Sequence, residues 1–359
     1  MNNITRDFPD FSRKVLFISG MLFILAIAFY LLWHLFHVIL LIFSGILLAV
    51  LLDGLSTYLK KKSGIPHGFA LLIVVVLITA FFFIVFWITG PRIIEQFSLL
   101  GQRIPAAFDS FRSYLEKYSW GKKLISEIST PGKILPMGTS ILGGLTGAFT
   151  TVLDIATGIL IILFVGIYAA ASPGLYVSNI IRIFPQDKRE RAREIFKSEG
   201  QALHWWLIGR FISMGLVGIL TIIGLTIAGI PLVLVLGFIA ALFSFVPYIG
   251  AWLSAVPAGL VALAESPQKL FYVALVYLGV HLFEGYLITP LIQKRAVSLP
   301  PALLLTMQII MGVLAGAIGI LLATPLAVAV IVLIQMIYVQ DILGEKCKVL
   351  GTHKAQPPR

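Results

Sequence analysis

Residues 302–339 read ALLLTMQIIMGVLAGAIGILLATPLAVAVIVLIQMIYV and contain no charged residue. As one straight helix, these 38 residues would be about 57 Å long. The hydrocarbon core of a bilayer is about 30 Å thick and is crossed by about 20 residues. The run is therefore too long for one crossing, and we predict that it folds back near residues 316–319 as a helical hairpin.

The same apolar character extends over the whole chain of 359 residues, of which 59% are hydrophobic and 12% are charged. Soluble domains carry about 25% charged residues, so this composition excludes a water-soluble fold. Runs such as 70–87 and 158–171 are apolar without the alternation that a membrane barrel requires. We predict an all-α, polytopic integral membrane protein with about eight membrane segments, some of them broken or hairpin helices, and a helical extramembrane segment.

Residues 1–91 form the first predicted unit, an N-terminal bundle of three spans. The apolar stretch 15–52 is interrupted by Trp33-His34-Leu35-Phe36-His37, which indicates a turn between two spans. The third span, 70–89, ends at Gly90-Pro91, a pair that commonly stops a helix.

Residues 92–148 are the second unit, an extramembrane amphipathic segment. Spacings of three and four place its apolar residues on one helical face: Ile93, Phe97, Leu100, Ile104, Phe108, Phe111 and Leu115. Such a face can lie at the membrane surface, pack over the bundle, or pair with a second copy of the chain. Because a helix of this length must cover its apolar face, we expect a homo-oligomer.

The remaining units are a fourth span with a charged loop (149–204), a C-terminal membrane core with broken helices (205–340) and a basic tail (341–359). Opposite charges three to four residues apart at 187–194 favour a short solvated helix in the loop. Glycine and proline at 229–231 mark the first break in the C-terminal core.

The distribution of charge sets the expected orientation. The net charge is +11, and 18 of the 27 Lys and Arg residues lie in segments that share the cytoplasmic side if the N-terminus is cytoplasmic. Positive residues concentrate on that side of membrane proteins. We therefore expect both termini in the cytoplasm, and we interpret the basic balance as a topology signal with no nucleic-acid partner.

No motif of a soluble enzyme occurs in the chain. There is no His-Glu-x-x-His zinc motif, no Gly-rich phosphate loop and no Gly-x-Ser-x-Gly elbow. The single cysteine, Cys347, excludes an intramolecular disulfide and a cysteine-based metal site. We expect no enzyme activity, no cofactor, no metal and no ATP-driven transport by this chain alone.

Four ionisable residues fall at membrane depth, where a charge is costly and usually faces protein or water. Asp53 and Asp154 lie near the ends of their spans, where a solvated helix end explains them equally well. Arg210 lies about one turn inside its span, so we expect its side chain to extend to the headgroups. Glu284 lies within a span, three residues after His281, so the two can share a proton or bind a cation or a substrate hydroxyl. The alternative for Glu284 is a structural hydrogen bond to a broken helix.

Two groups of helix-disrupting residues lie in the C-terminal core. Pro247, Tyr248 and Gly250, with Pro257 after them, free backbone groups that a membrane tolerates only beside protein or a water-filled cavity. Transporters place substrate and ion sites at such breaks. A stripe of small residues, followed by a proline, is typical of close helix packing: Gly312, Gly316, Gly319, Ala323 and Pro325.

Together, these residues resemble the autoinducer-2 exporter family of bacterial inner-membrane permeases. The resemblance rests on residues 240–330, and the layout of the rest of the chain also fits. The positions that carry it are the string Pro247-Tyr248-Ile249-Gly250 with Pro257, then Glu284, Pro290, Leu299 and Pro301, and the small-residue stripe with Pro325. Two positions depart from the family: Gly285 stands where Asn is frequent, and Lys294 where Gly is frequent.

The resemblance implies a multi-pass protein of the bacterial inner membrane that moves a small solute without ATP hydrolysis. Some relatives are associated with export of a quorum-sensing furanone, and others with exchange of sodium or lithium for protons. The departure at Gly285 removes an amide that could bind a polar ligand, so the resemblance does not fix the substrate.

From these observations we expect a secondary transporter in the lipid bilayer, an exporter of a small polar molecule such as a quorum-sensing signal. The alternatives are a Na⁺(Li⁺)/H⁺ antiporter, in which Glu284 alternates between proton and cation, and an oligomeric channel or scaffold. The candidate residues for binding the small molecule or cation are Glu284, His281, Pro247, Tyr248, Gly250, Asp53 and Asp154.

Overall fold

The computed structural model describes residues 7–115, 145–288 and 300–345, and these residues form helices without strands. In chain order the helices are α1 (Asp7–Ser63), α2 (His67–Leu115), α3 (Leu145–Ala171), α4 (Pro173–Ile181), α5 (Arg189–Ile227), α6 (Val233–Phe243), α7 (Ile249–Glu265), α8 (Pro267–Phe283) and α9 (Pro301–Leu333). A 3-10 turn (Gln186–Lys188) precedes α5, and π-helical segments extend α8 (Glu284–Ile288) and α9 (Ile334–Ile342).

The predicted all-α, polytopic membrane fold is confirmed. Within the described ranges, four helices are long and apolar enough to cross a membrane, or up to five if the bent pair formed by α3 and α4 counts as one span. Shorter apolar helices accompany them, among them α6 and α7. Several of the predicted membrane segments are therefore half-length helices.

Helix α1 is continuous from Asp7 to Ser63, so the predicted turn at 33–37 is wrong, and residues 7–91 hold two helices instead of three spans. The segment 33–37 contains no glycine or proline, and aromatic and histidine residues do not break backbone hydrogen bonding. A helix of 57 residues is about 86 Å long. Its C-terminal part packs against α2 and α3, whereas the apolar side chains of residues 16–25 are exposed.

Helix α2 continues through Gly90-Pro91 to Leu115, so the predicted helix end is also wrong. Pro91 removes only one backbone donor, and the neighbouring turns hold the helix together. Ile93 and the buried Leu100 pack against the core formed by α5 to α8, so this part of the amphipathic face packs over the bundle. Residues 116–144 of the predicted extramembrane segment lie outside the described residues, and the expected homo-oligomer stays a prediction.

The charged segment 187–194 forms a 3-10 turn and the first turns of α5, where a separate short helix was expected. Helix α5 has 39 residues and runs across the predicted unit boundary at residue 204. Arg191 connects its first turn to the π-helical end of α9, where its guanidinium donates to the Met336 carbonyl at 3.0 Å and the Gln340 side chain at 2.8 Å.

The C-terminal core contains two helical hairpins. In the first, residues 244–248 separate α6 from α7, and Pro257 lies inside α7 without ending it. In the second, Ala315 and Gly316 leave helical geometry, Gly316 with φ of 60°, and α9 folds back on itself there, as predicted. A Cβ on Gly319 would overlap the backbone carbonyl of Met311, which shows how closely the two arms of α9 approach.

Candidate functional site

The site is built around Arg210 on α5, whose expected extension to the headgroups is wrong. Its side chain is 16% exposed and points into the core. It donates from Nε to the Phe245 carbonyl at 2.9 Å and from Nη2 to the Ser244 carbonyl. These carbonyls lie in the break between α6 and α7, where no helix supplies amide donors. The guanidinium therefore satisfies backbone groups that the break exposes.

Glu284 faces Arg210 from the end of α8, where the helix changes to π geometry. Its Oε1 atom lies 3.8 Å from Arg210 Nη1 and accepts a hydrogen bond of 2.7 Å from the Ser213 hydroxyl. Its Oε2 atom lies 3.2 Å from His281 Nδ1. The carboxylate is 14% exposed, so its charge is compensated by a cation, a hydroxyl and an imidazole in a largely buried environment.

The break itself carries backbone strain. Tyr248 adopts φ of 64° and ψ of −65°, a region that side-chain-bearing residues rarely occupy. Its neighbour Pro247 accepts a hydrogen bond of 3.0 Å from the Gln308 amide on α9. Arg210 on α5 and Gln308 on α9 thus bind the carbonyls of residues 244, 245 and 247, which lead directly into the strained Tyr248.

A cavity of about 760 Å³ opens between these groups. Four aromatic residues contribute to its wall, namely Trp206, Tyr248, Trp252 and Tyr277. Its polar lining comes from Arg210, Ser213, Ser244, His281, Glu284 and Thr324. Within the described part of the chain, His281 Nε2, Ser244 Oγ and Thr324 Oγ1 are buried and have no hydrogen-bond partner. The cavity therefore combines apolar walls with a few polar side chains, as sites for small molecules do.

The structure brings together only some of the predicted binding residues. Pro247, Tyr248, His281 and Glu284 all line the cavity. Gly250 is absent from its lining and instead allows close packing, because a Cβ there would overlap the Phe243 carbonyl.

The two predicted aspartates do not join the cavity. Asp53 on α1 contacts His67, with 3.5 Å between Oδ1 and Nε2, and is absent from the lining. Asp154 lies in α3, but its side chain is outside the described residues, as are Pro290, Lys294 and Leu299. The candidate binding residues Asp53 and Glu284 therefore do not share one site in this structure.

The sequence analysis did not identify two site residues, Ser213 and Gln308. It did single out Arg210 but directed its side chain to the headgroups instead of the cavity. Gln308 is fully buried and is one of only two glutamines in the uncharged run 302–339, which was a usable signal. Ser213 gives no such signal, since serine is common in membrane helices and its role depends on facing Glu284.

Comparison with known proteins agrees with this geometry. A family model described as AI-2E family transporter matches residues 22–338. The chain belongs to the AI-2E transporter family. It is a multi-pass membrane protein of a transporter family, and the resemblance noted in the sequence is confirmed.

Bacterial members of the AI-2E family that carry the name "Putative transport protein" align over most of their length. YueF of Bacillus subtilis is 26% identical over 279 residues, which cover 74% of this chain and 75% of YueF. YrrI of the same organism is 24% identical, with 78% of this chain and 81% of YrrI covered. A Thermotoga maritima protein is 24% identical, with 78% and 85% covered.

Proposed function

We propose that this AI-2E family transporter is a secondary transporter that exports a small polar molecule across the bacterial inner membrane. The observation that carries the proposal is the cavity in which the Arg210–Glu284 pair meets the break between α6 and α7. The size of the cavity, about 760 Å³, is within the range of about 300 to 1,000 Å³ that is typical of small-molecule sites.

The polarity of the cavity supports a small, uncharged polar substrate. Arg210 and Glu284 compensate each other, so the site has no surplus formal charge to attract an ion from solution. His281, Ser244 and Thr324 add polar side chains to the lining, and side chains of these types form hydrogen bonds with substrate hydroxyls, while the aromatic walls can cover an apolar ring.

Transport in proteoliposomes tests the proposal with two matched carboxyl variants. Glu284→Gln keeps an oxygen that accepts from Ser213 but removes the negative charge that faces Arg210. We expect it to lower the initial rate of substrate efflux at least about tenfold, because a buried cation loses its partner. Glu265→Gln changes a carboxylate that pairs with Lys269 away from the cavity, and we expect it to transport at the unmodified rate. Equal rates for both variants and the unmodified protein would remove the cavity from the mechanism.

The second candidate function is Na⁺(Li⁺)/H⁺ exchange, which the contact of 3.2 Å between His281 and Glu284 favours. A carboxylate beside an imidazole can bind a proton or release it in exchange for a cation. Addition of Na⁺ or Li⁺ to proteoliposomes that contain a pH-sensitive dye separates the two functions. Proton flux that depends on Glu284 identifies an antiporter, and solute efflux without proton flux identifies the exporter.

A further inference from the structure

Helix α4 turns sharply away from the helix before it. Its axis makes an angle of 87° with that of α3, and the bend occurs at Ser172, immediately before Pro173. Helix α3 alone has 27 residues, of which Asp154 is the only charged one, and that length is enough to cross the hydrocarbon core. A helix at right angles to such a crossing runs along the membrane surface. Amphipathic helices in that position bury one face among lipid headgroups and acyl chains.

The two faces of α4 differ in what they contact. Ile181 is 2% exposed and faces the protein, where α4 packs on α5. The opposite face presents an apolar stripe, formed by Leu175, Tyr176, Ile180 and, just past the helix end, Ile183. Ile183 is 82% exposed. Within the described part of the chain, the side chains of this stripe stay 43% to 82% exposed.

Basic residues follow the stripe directly, and three of them are exposed and form no ion pair with any described residue: Arg182, Lys188 and Lys197. Their neighbours are engaged. Arg193 pairs with Glu190 at 3.2 Å, and Arg189 donates to the Arg182 and Phe184 carbonyls, which fixes the turn after α4. Arg182, at the end of α4 and next to Ile183, thus presents unpaired positive charge directly beside the exposed apolar face.

We propose that α4 and these three cations form a binding surface for anionic phospholipids. The apolar stripe lies among the acyl chains, and Arg182, Lys188 and Lys197 contact the headgroup phosphates. Positive side chains near a membrane surface are attracted to anionic lipid, and the apolar face anchors the helix at the depth where those phosphates lie. The proposal is independent of the transported substrate.

Lipid binding by the purified full-length protein tests this surface. The protein in mild detergent is titrated with phosphatidylglycerol or with phosphatidylcholine, and bound lipid is counted by native mass spectrometry. We expect preferential binding of phosphatidylglycerol. Arg182→Gln is compared with Arg193→Gln, which removes the same charge from the same segment but from a paired residue. We expect Arg182→Gln to weaken phosphatidylglycerol binding about fivefold and Arg193→Gln to leave it unchanged.

Two further measurements distinguish the source of the anion and the role of the stripe. Inorganic phosphate at millimolar concentration should not displace the lipid, and displacement would overturn the lipid assignment in favour of a free anion site. Ile183→Ser, at an exposed position that folding does not require, should weaken binding of both lipids. Equal binding of both lipids, or equal loss in the two arginine variants, would overturn the proposal. Lys188→Gln replaces Arg182→Gln if the latter does not fold.

Discussion

Arg210 supports the break between α6 and α7 through a geometry that only a guanidinium provides. Its donors reach two backbone carbonyls and approach a carboxylate at the same time. A lysine at this position keeps the charge, but its single ammonium cannot span the three acceptors. We expect Arg210→Lys to lower the free energy of unfolding by about 1 to 3 kcal/mol, because a buried acceptor loses its donor. Chemical unfolding in detergent micelles measures the change.

Arg193→Lys is the matched control for this prediction, because Arg193 forms an exposed pair with Glu190. Exposed pairs contribute about 0 to 1 kcal/mol, so we expect no measurable effect on the free energy of unfolding. If Arg210→Lys unfolds like the unmodified protein, the guanidinium does not hold the break.

At this scale the sequence predicts which residues are unusual better than it predicts where they point. Glu284 and His281 are identifiable because a carboxylate and an imidazole three residues apart stand out in an apolar run. Arg210 follows two tryptophans near the start of its apolar run, a pattern that equally fits a residue reaching the headgroups. Its inward direction depends on the carbonyls of a hairpin 34 residues later, which no local pattern reveals.

Among the elements, the hairpin of α9 depends on close approach of its two arms at Gly319. A methyl group there would overlap the Met311 carbonyl, which belongs to the backbone and cannot rotate away. We expect Gly319→Ala to lower the free energy of unfolding by about 1 to 3 kcal/mol or more, as overpacked sites do. The midpoint of thermal unfolding in detergent provides the measurement.

Gly279 on α8 provides the comparison, because a Cβ there meets nothing within 4 Å. Gly279→Ala should leave stability unchanged or raise it by up to about 1 kcal/mol, since alanine favours a helix. A stable Gly319→Ala protein would show that the arms of α9 lie further apart than described.

The π-helical end of α9 is a second element whose geometry depends on one side chain. Besides Met336 and Gln340, Arg191 contacts Asp341, with 2.8 Å between Nη2 and Oδ1. We expect Arg191→Gln to lose about 1.5 kcal/mol of local stability and to increase amide hydrogen exchange in residues 336–342 roughly tenfold. Arg193→Gln should leave exchange there unchanged, and equal exchange in both variants would contradict a role for Arg191 in holding this segment.

The existence of helices and the hairpin turn within α9 could be predicted from the sequence, but helix ends and the continuity of α1 could not. Gly316 adopts a positive φ that favours glycine, and the apolar run around it exceeds one bilayer, so the turn there follows from elementary geometry. Gly90-Pro91 has the same residue types, yet α2 continues through it because its flanking turns stay helical and Leu100 packs on the core. Tertiary packing decides between these outcomes.

For the whole molecule, basic segments collect at one end of the helical bundle. Lys60, Lys61 and Lys62 lie in the last turn of α1. The same part of α1 contacts the first half of α5, where the His204 ring lies against Gly54. Arg191 brings the end of α9 to the same region. Helix α5 has 39 residues, about 59 Å in length, so its far end, where Lys269 donates to the Gly229 carbonyl, lies at the opposite end.

This arrangement predicts the orientation of the protein, since positive residues mark the cytoplasmic side. The test uses a chain that carries Cys347→Ser, in which one cysteine at a time replaces Lys61, Lys188 or Lys269. A membrane-impermeant maleimide is then applied to intact spheroplasts and to inside-out vesicles. We expect Lys61→Cys and Lys188→Cys to react only in inside-out vesicles and Lys269→Cys only in spheroplasts. Reaction of Lys61→Cys and Lys269→Cys from the same side would mean that α5 does not cross the membrane, because the two positions lie beyond its opposite ends.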